Sequence, residues 1–169
     1  MTCVLRVTRQ GRYHTLVTAV FSHRDLFHLL ANMVTFYFFS PTALGILGGR
    51  GFLQLYLGGG VFSSLTHVAW PYYVPSNWPA KYRTNRYTPA LGASGAVNAL
   101  VIYSIMIYPR QIIYVNLLLP MPAALFGALF VMKDVYELYQ GGGQVGNAAH
   151  LGGAAFGALF FLLRRSIRR

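Results

Sequence analysis
The stretch Gly92-Ala93-Ser94-Gly95 opens an apolar run that continues to Tyr108. A serine hydroxyl attacks an acyl carbon only when a base takes its proton, and the usual base is an imidazole. The chain has five histidines: His14, His23, His28, His67 and His150. His28 stands near the start of a first apolar run and His150 near the start of a fifth; Ser94 opens the third. Runs one, three and five cross a layer in the same direction, so these residues come to similar depth near one face. Asn32 follows His28 by four positions and shares its helix face. Polar groups inside a bilayer are costly and mark working sites. The chemistry they can do is acyl transfer. His150 takes the proton of Ser94 and returns it to the leaving amine, while His28, Asn32 and the Ser94 backbone N–H donate to the oxyanion.

The acidic residues limit this chemistry. Asp25, Asp134 and Glu137 are the only carboxylates, and none lies inside a well-defined apolar run. A Ser-His dyad is therefore expected, not a buried Ser-His-Asp triad. Ala96 takes the place of the last glycine in G-x-S-x-G, which argues against an α/β-hydrolase elbow. Nothing in the sequence forms a Cys/His metal cluster, and no cofactor is expected. Gly92 and Gly95 clear space around Ser94. Gly153 and Gly157 form a G-x-x-x-G stripe that can meet Gly95 and Ala99 closely enough to join Ser94 to His150. Ser94 is expected about one turn into its helix.

The elements that position these residues are membrane spans. The 169 residues are 55% hydrophobic and only 10% charged, with mean hydropathy +0.46. A soluble domain carries about 25% charged residues. The net charge of +11 gathers at run ends and loops, where it meets lipid headgroups, so it is not read as a nucleic-acid footprint. The single Cys3 excludes an internal disulfide framework.

Residues 1–12 form a basic N-terminal segment, and residues 13–22 are apolar but too short to span. Asp25 or Ser22 can cap the first run, Leu26 to about Leu47. Gly48-Gly49-Arg50-Gly51 turns the chain into a second run, Phe52 to Trp70, with Gly58-Gly59-Gly60 inside it. Residues 71–90, with four prolines, read as an interfacial loop. The fourth run, from Ala123 to Met132, either continues amphipathically toward Tyr139 or takes in residues 112–119 across Pro120-Met121-Pro122. The fifth is Ala148 to Leu163, closed by Arg164, Arg165, Arg168 and Arg169 as a lipid-facing anchor. Gly141-Gly142-Gly143 precedes it as a segment able to move. His67 is expected at an interface, and Asn98 and Asn116 as interhelical hydrogen-bonders. The fold class is an all-α polytopic transmembrane bundle with five recognisable spans.

These motifs resemble the rhomboid intramembrane serine proteases: His23 with His28-Leu29-Leu30-Ala31-Asn32 (H-x-x-x-N), Gly92-Ala93-Ser94-Gly95 (G-x-S-G) and Ala149-His150-Leu151-Gly152-Gly153 (A-H-x-x-G). The resemblance covers residue 12 to the end, so 13–169 is read as a rhomboid-like transmembrane domain. It implies Ser94 as nucleophile, His150 as base, His28 and Asn32 as oxyanion contributors and His23 as structural. The resemblance is strongest to the mitochondrial branch, which implies the mitochondrial inner membrane, with membrane lipids and transmembrane protein substrates as partners and no nucleic acid. The family core has six helices; the one expected before residue 12 is not found. A non-catalytic rhomboid-like protein that binds or escorts membrane proteins is the alternative reading.

Overall fold
The computed structural model describes residues 10–73, 91–115, 118–140 and 146–167. Most of the loop expected at 71–90, together with Asn116, Gly141 to Gly143, Arg168 and Arg169, lies outside the described residues.

The short apolar piece ahead of the first run does not span. It forms one turn of helix, α1 (Thr15–Thr18), and a 3-10 turn, Ala19–Phe21, that buries Thr15, Ala19 and Val20. Asp25 then caps α2 (Leu26–Tyr73) by accepting the His28 backbone N–H at 2.7 Å. Ser22, the other candidate cap, donates instead to the Thr18 carbonyl.

A straight helix of 48 residues would be about 72 Å long, more than twice the roughly 30 Å of a bilayer's hydrocarbon. The chain avoids this at Gly48, whose φ of 66° and ψ of 176° are open essentially to glycine alone. Phe36, before that bend, meets Phe52 and Tyr56, after it, at ring-centroid distances of 5.9 and 5.5 Å. The two arms therefore fold back on each other as a helical hairpin. The element is long and apolar enough to cross a membrane.

α3 (Ser94–Ile107) is the central helix. Every residue from Gly95 to Val101 is buried, as are Tyr103, Ser104 and Ile105. Ala99, Leu100 and Tyr103 pack with Ala43 and Leu55 of α2 and with Phe156 and Phe160, while Val97, Val101 and Ile105 pack with Ala123 and Phe126. Ser104 Oγ also donates to the Phe39 carbonyl at 3.2 Å. The outside is apolar in turn. Leu26, Phe27, Leu30, Val34 and Phe38 on α2 and Leu159, Leu162 and Leu163 near the chain's end are exposed. In water such surface is an aggregation hazard; lipid tails accept it without cost.

The described residues are predominantly helical, in keeping with an all-α class, with one short exception. Between α3 and the next helix lies an antiparallel hairpin of β1 (Ile112–Val115) and β2 (Leu119–Pro122), pairing Ile112 with Pro122 and Val115 with Leu119. Ile112-Ile113-Tyr114-Val115 is a β-branched and aromatic run that suits a strand, and Pro120 and Pro122 bar a helix there. Residues 112–119 thus do not join the fourth run. That run becomes α4 (Ala123–Gln140), which passes through Lys133 without stopping. The last helix is α5 (Asn147–Ile167).

Candidate active site
The site is built where α3 and α5 come closest. A Cβ placed on Gly153 would lie 2.9 Å from the Gly95 Cα, and one on Gly157 would lie 2.9 Å from the Ala99 Cα. Both pairs are one turn apart on both helices, so the helices run in the same direction with their backbones in contact. This is the packing that small-residue stripes permit. Ser94 and His150 stand in the first turns of the two helices, and His150 Nε2 lies 2.9 Å from Ser94 Oγ. Ser94 is half-buried and the His150 side chain is 27% exposed, so the pair is held yet reachable.

Ser94 is the first residue of α3, not one turn inside it. Gly92, with φ 123°, turns the chain into the helix, and its N–H donates to Ala19 at 2.9 Å. The first intrahelical bond is Val97 N–H to the Ala93 carbonyl. The N–H groups of Ser94, Gly95 and Ala96 thus precede the helical ladder and carry the positive end of its dipole.

The H-x-x-x-N residues arrive from the start of α2. A Cβ on Gly92 would fall 2.6 Å from His28 Cε1, so the His28 ring lies against the turn before Ser94. The His23 ring meets His28 edge-on, 5.4 Å between centroids. His28 Nδ1 accepts the Arg24 backbone N–H at 3.4 Å, which leaves Nε2 as the protonated nitrogen of the neutral ring. Asn32 is buried, with Nδ2 donating to the His28 carbonyl at 2.7 Å; the amide's second hydrogen is not used by that bond. The Arg24 guanidinium and Asp25 pair at 2.9 Å. The His28 N–H and then Arg24 hold the Asp25 carboxyl below the usual carboxylate range.

A carboxylate does reach the site. Asp134, 2% exposed, places Oδ2 3.4 Å from His150 Nδ1. The expectation that none would do so fails because α4 continues past Lys133 and turns Asp134 inward. The signal available in sequence was the i, i+3 spacing of Asp134 and Glu137, which puts both on one face. Other expectations also shift. His67 is buried, not interfacial. Asn98 is buried with Nδ2 unpartnered among the described residues. Arg164 donates to Gln54 at 2.8 Å and stacks over Phe160, so this residue of the basic tail faces protein. No group of three or more metal-ligating residues occurs among the described residues.

A family model, the Rhomboid domain, matches residues 10–166, and the chain belongs to the rhomboid family. Among curated relatives, RHOMBOID-like protein 12, mitochondrial, of Arabidopsis thaliana is 39% identical over 155 residues, covering 89% of this chain and 46% of the relative. Presenilin-associated rhomboid-like protein, mitochondrial, of Homo sapiens is 33% identical over 147 residues, covering 84% and 35%. The chain thus spans less than half the length of these relatives. No solved structure matches it significantly. The chain is a membrane protein of the mitochondrial rhomboid branch.

Proposed function
We propose that this chain is an intramembrane serine endopeptidase that cleaves transmembrane proteins with a Ser94–His150 pair, in the mitochondrial inner membrane. The observation that carries the reading is the 2.9 Å approach of His150 Nε2 to Ser94 Oγ. The intact contact favours catalysis over a non-catalytic escort role.

His150 Nε2 accepts the Ser94 proton as Oγ bonds to the substrate's carbonyl carbon. The carbonyl π electrons move to oxygen, giving a tetrahedral oxyanion. The Ser94 backbone N–H at the open end of α3, His28 Nε2–H and the spare Asn32 amide hydrogen are the donors for that charge. One such donor is worth about 10²–10³ in rate. The imidazolium then protonates the leaving nitrogen as the C–N bond breaks. Water, deprotonated by His150, hydrolyses the acyl-enzyme and restores Ser94.

Helix length supports a site below the membrane surface. The two arms of α2, with α4 and α5, are read as crossings around α3. The 14 residues of α3 rise about 21 Å, short of the roughly 30 Å hydrocarbon layer. With Tyr108-Pro109-Arg110 at one interface, Ser94 lies several ångströms beneath the other.

The test is cleavage of a transmembrane substrate in liposomes, beside labelling by a fluorophosphonate. Ser94→Ala and His150→Ala are each expected to abolish cleavage while the protein stays folded. Wild-type turnover by Ser94→Ala ends the protease reading.

A further inference from the structure
We propose that Asp134 is a positioning residue for His150: it fixes which imidazole nitrogen carries the proton and steadies the imidazolium during turnover. The proposal rests on the protease reading above and deepens it.

The geometry starts from two matched pairs. Asp134 and Glu137 are three apart on α4, and Asn147 and His150 are three apart on α5. Asn147 Nδ2 donates to Glu137 Oε2 at 3.1 Å, and His150 Nδ1 faces Asp134 Oδ2 at 3.4 Å. Residues three apart share a helix face, so α4 grips the first turn of α5 at two successive points. Glu137 is further held by Lys133 at 2.7 Å. The lower grip orients the start of α5; the upper one acts on the imidazole itself.

Asp134 makes little sense as a merely structural residue. It is 2% exposed, and Lys133 Nζ is 3.9 Å from its Oδ1; its Oδ2 makes no hydrogen bond among the described residues and faces the imidazole Nδ1 at 3.4 Å. A buried carboxylate without a partner is costly. The same interaction answers a need of the chemistry. Neutral imidazole carries one proton on either nitrogen, and His150 can act as base toward Ser94 only when Nε2 is bare. A carboxylate at Nδ1 selects the Nδ1–H form. When Nε2 takes the serine proton, the carboxylate then balances the new positive charge. The contact from Asp134 into the site is to His150, on the side of the ring away from Ser94, so its effect passes through His150.

Asp134→Asn keeps the shape and removes the charge. Its amide can donate to Nδ1, which stabilises the form with the proton on Nε2, unable to accept from Ser94. Loss of the corresponding carboxylate charge in a buried triad costs about 10⁴ in kcat. With the longer 3.4 Å separation and a partly exposed ring, we expect a fall on the order of 100-fold. The fall should be in kcat and in the rate of fluorophosphonate labelling, with KM unchanged. Asp134→Glu should recover part of it. A purely structural role would instead shift KM and thermal stability together, and Asp134→Glu would recover neither rate.

A second measurement needs no Asp134 variant. In ¹⁵N-histidine-labelled wild-type protein in detergent, the His150 resonances, assigned by their loss in His150→Ala, report which nitrogen bears the proton. We expect the Nδ1–H form; a resting Nε2–H form overturns the proposal. If wild type labels at Ser94 while Asp134→Asn labels and turns over at the wild-type rate, the proposal fails and the protease reading survives. If wild type does not label at Ser94, the protease reading itself fails and takes the proposal with it.

Discussion
Replacing Gly153 by alanine puts a methyl group into the backbone of α3. The new carbon would overlap the Gly95 carbonyl oxygen and sit 2.7 Å from its carbonyl carbon, where ordinary contacts begin at 3.4 Å. The obstacle is main chain on both sides, so no side chain can rotate away. The helices must part by about 1 Å, an overpacking whose stability cost is typically about 1–3 kcal/mol. The same displacement acts on the site, because Gly153 lies within one turn of His150 and Gly95 adjoins Ser94. The 2.9 Å contact between His150 Nε2 and Ser94 Oγ would open to about 4 Å, beyond hydrogen-bond reach. A misplacement of that size costs on the order of 100-fold in rate. The assay is cleavage of a transmembrane substrate, with fluorophosphonate labelling to count competent molecules and thermal unfolding in the same detergent. Gly45→Ala is the control, since nothing lies within 4 Å of its new carbon; it should leave rate and stability at or above wild type. A Gly153→Ala protein that cleaves as fast as wild type would refute the claim that backbone contact sets the geometry of the pair.

Three further outcomes follow from the structure. Gly48→Ala, at φ 66° and ψ 176°, should destabilise the α2 hairpin by about 1–3 kcal/mol, whereas Gly49→Ala, with open space around it, should not; denaturation in one detergent compares them. His28→Ala and Asn32→Ala should each slow acylation without abolishing it, because oxyanion donors are partly redundant, and single-turnover rates after each change provide the check. The Asp25 cap should respond to acid. Its carboxyl is held below the ordinary aspartate range by the His28 N–H and then Arg24, so its stabilising effect is complete above that ordinary range and lost as pH falls through the lower folded value. Hydrogen exchange at the His28 and Leu29 amides should rise over that acidic range, and Asp25→Asn, which still caps, should flatten the response.

Much of this protein is written in local sequence. Ser94, His150, His28 and Asn32 are legible because polar groups stand out against apolar runs, and because three runs with the same direction must bring their starts to one level. The small-residue stripes at Gly95 and Ala99 and at Gly153 and Gly157 are equally local, since helical periodicity alone puts them on one face. The bend at Gly48 announces itself as a glycine cluster between two apolar runs. Three things waited for the tertiary structure. The strand character of 112–122 was hidden because a short apolar run reads alike as strand or helix until its pairing partner is known. The burial of His67 depended on which neighbours cover that face of α2, which hydropathy does not encode. Asp134 was passed over because a carboxylate beyond the end of an apolar run looks solvent-bound. It becomes part of the site only because α4 lies against α5, so that one inward-facing turn meets the imidazole already bound to Ser94 on its other side.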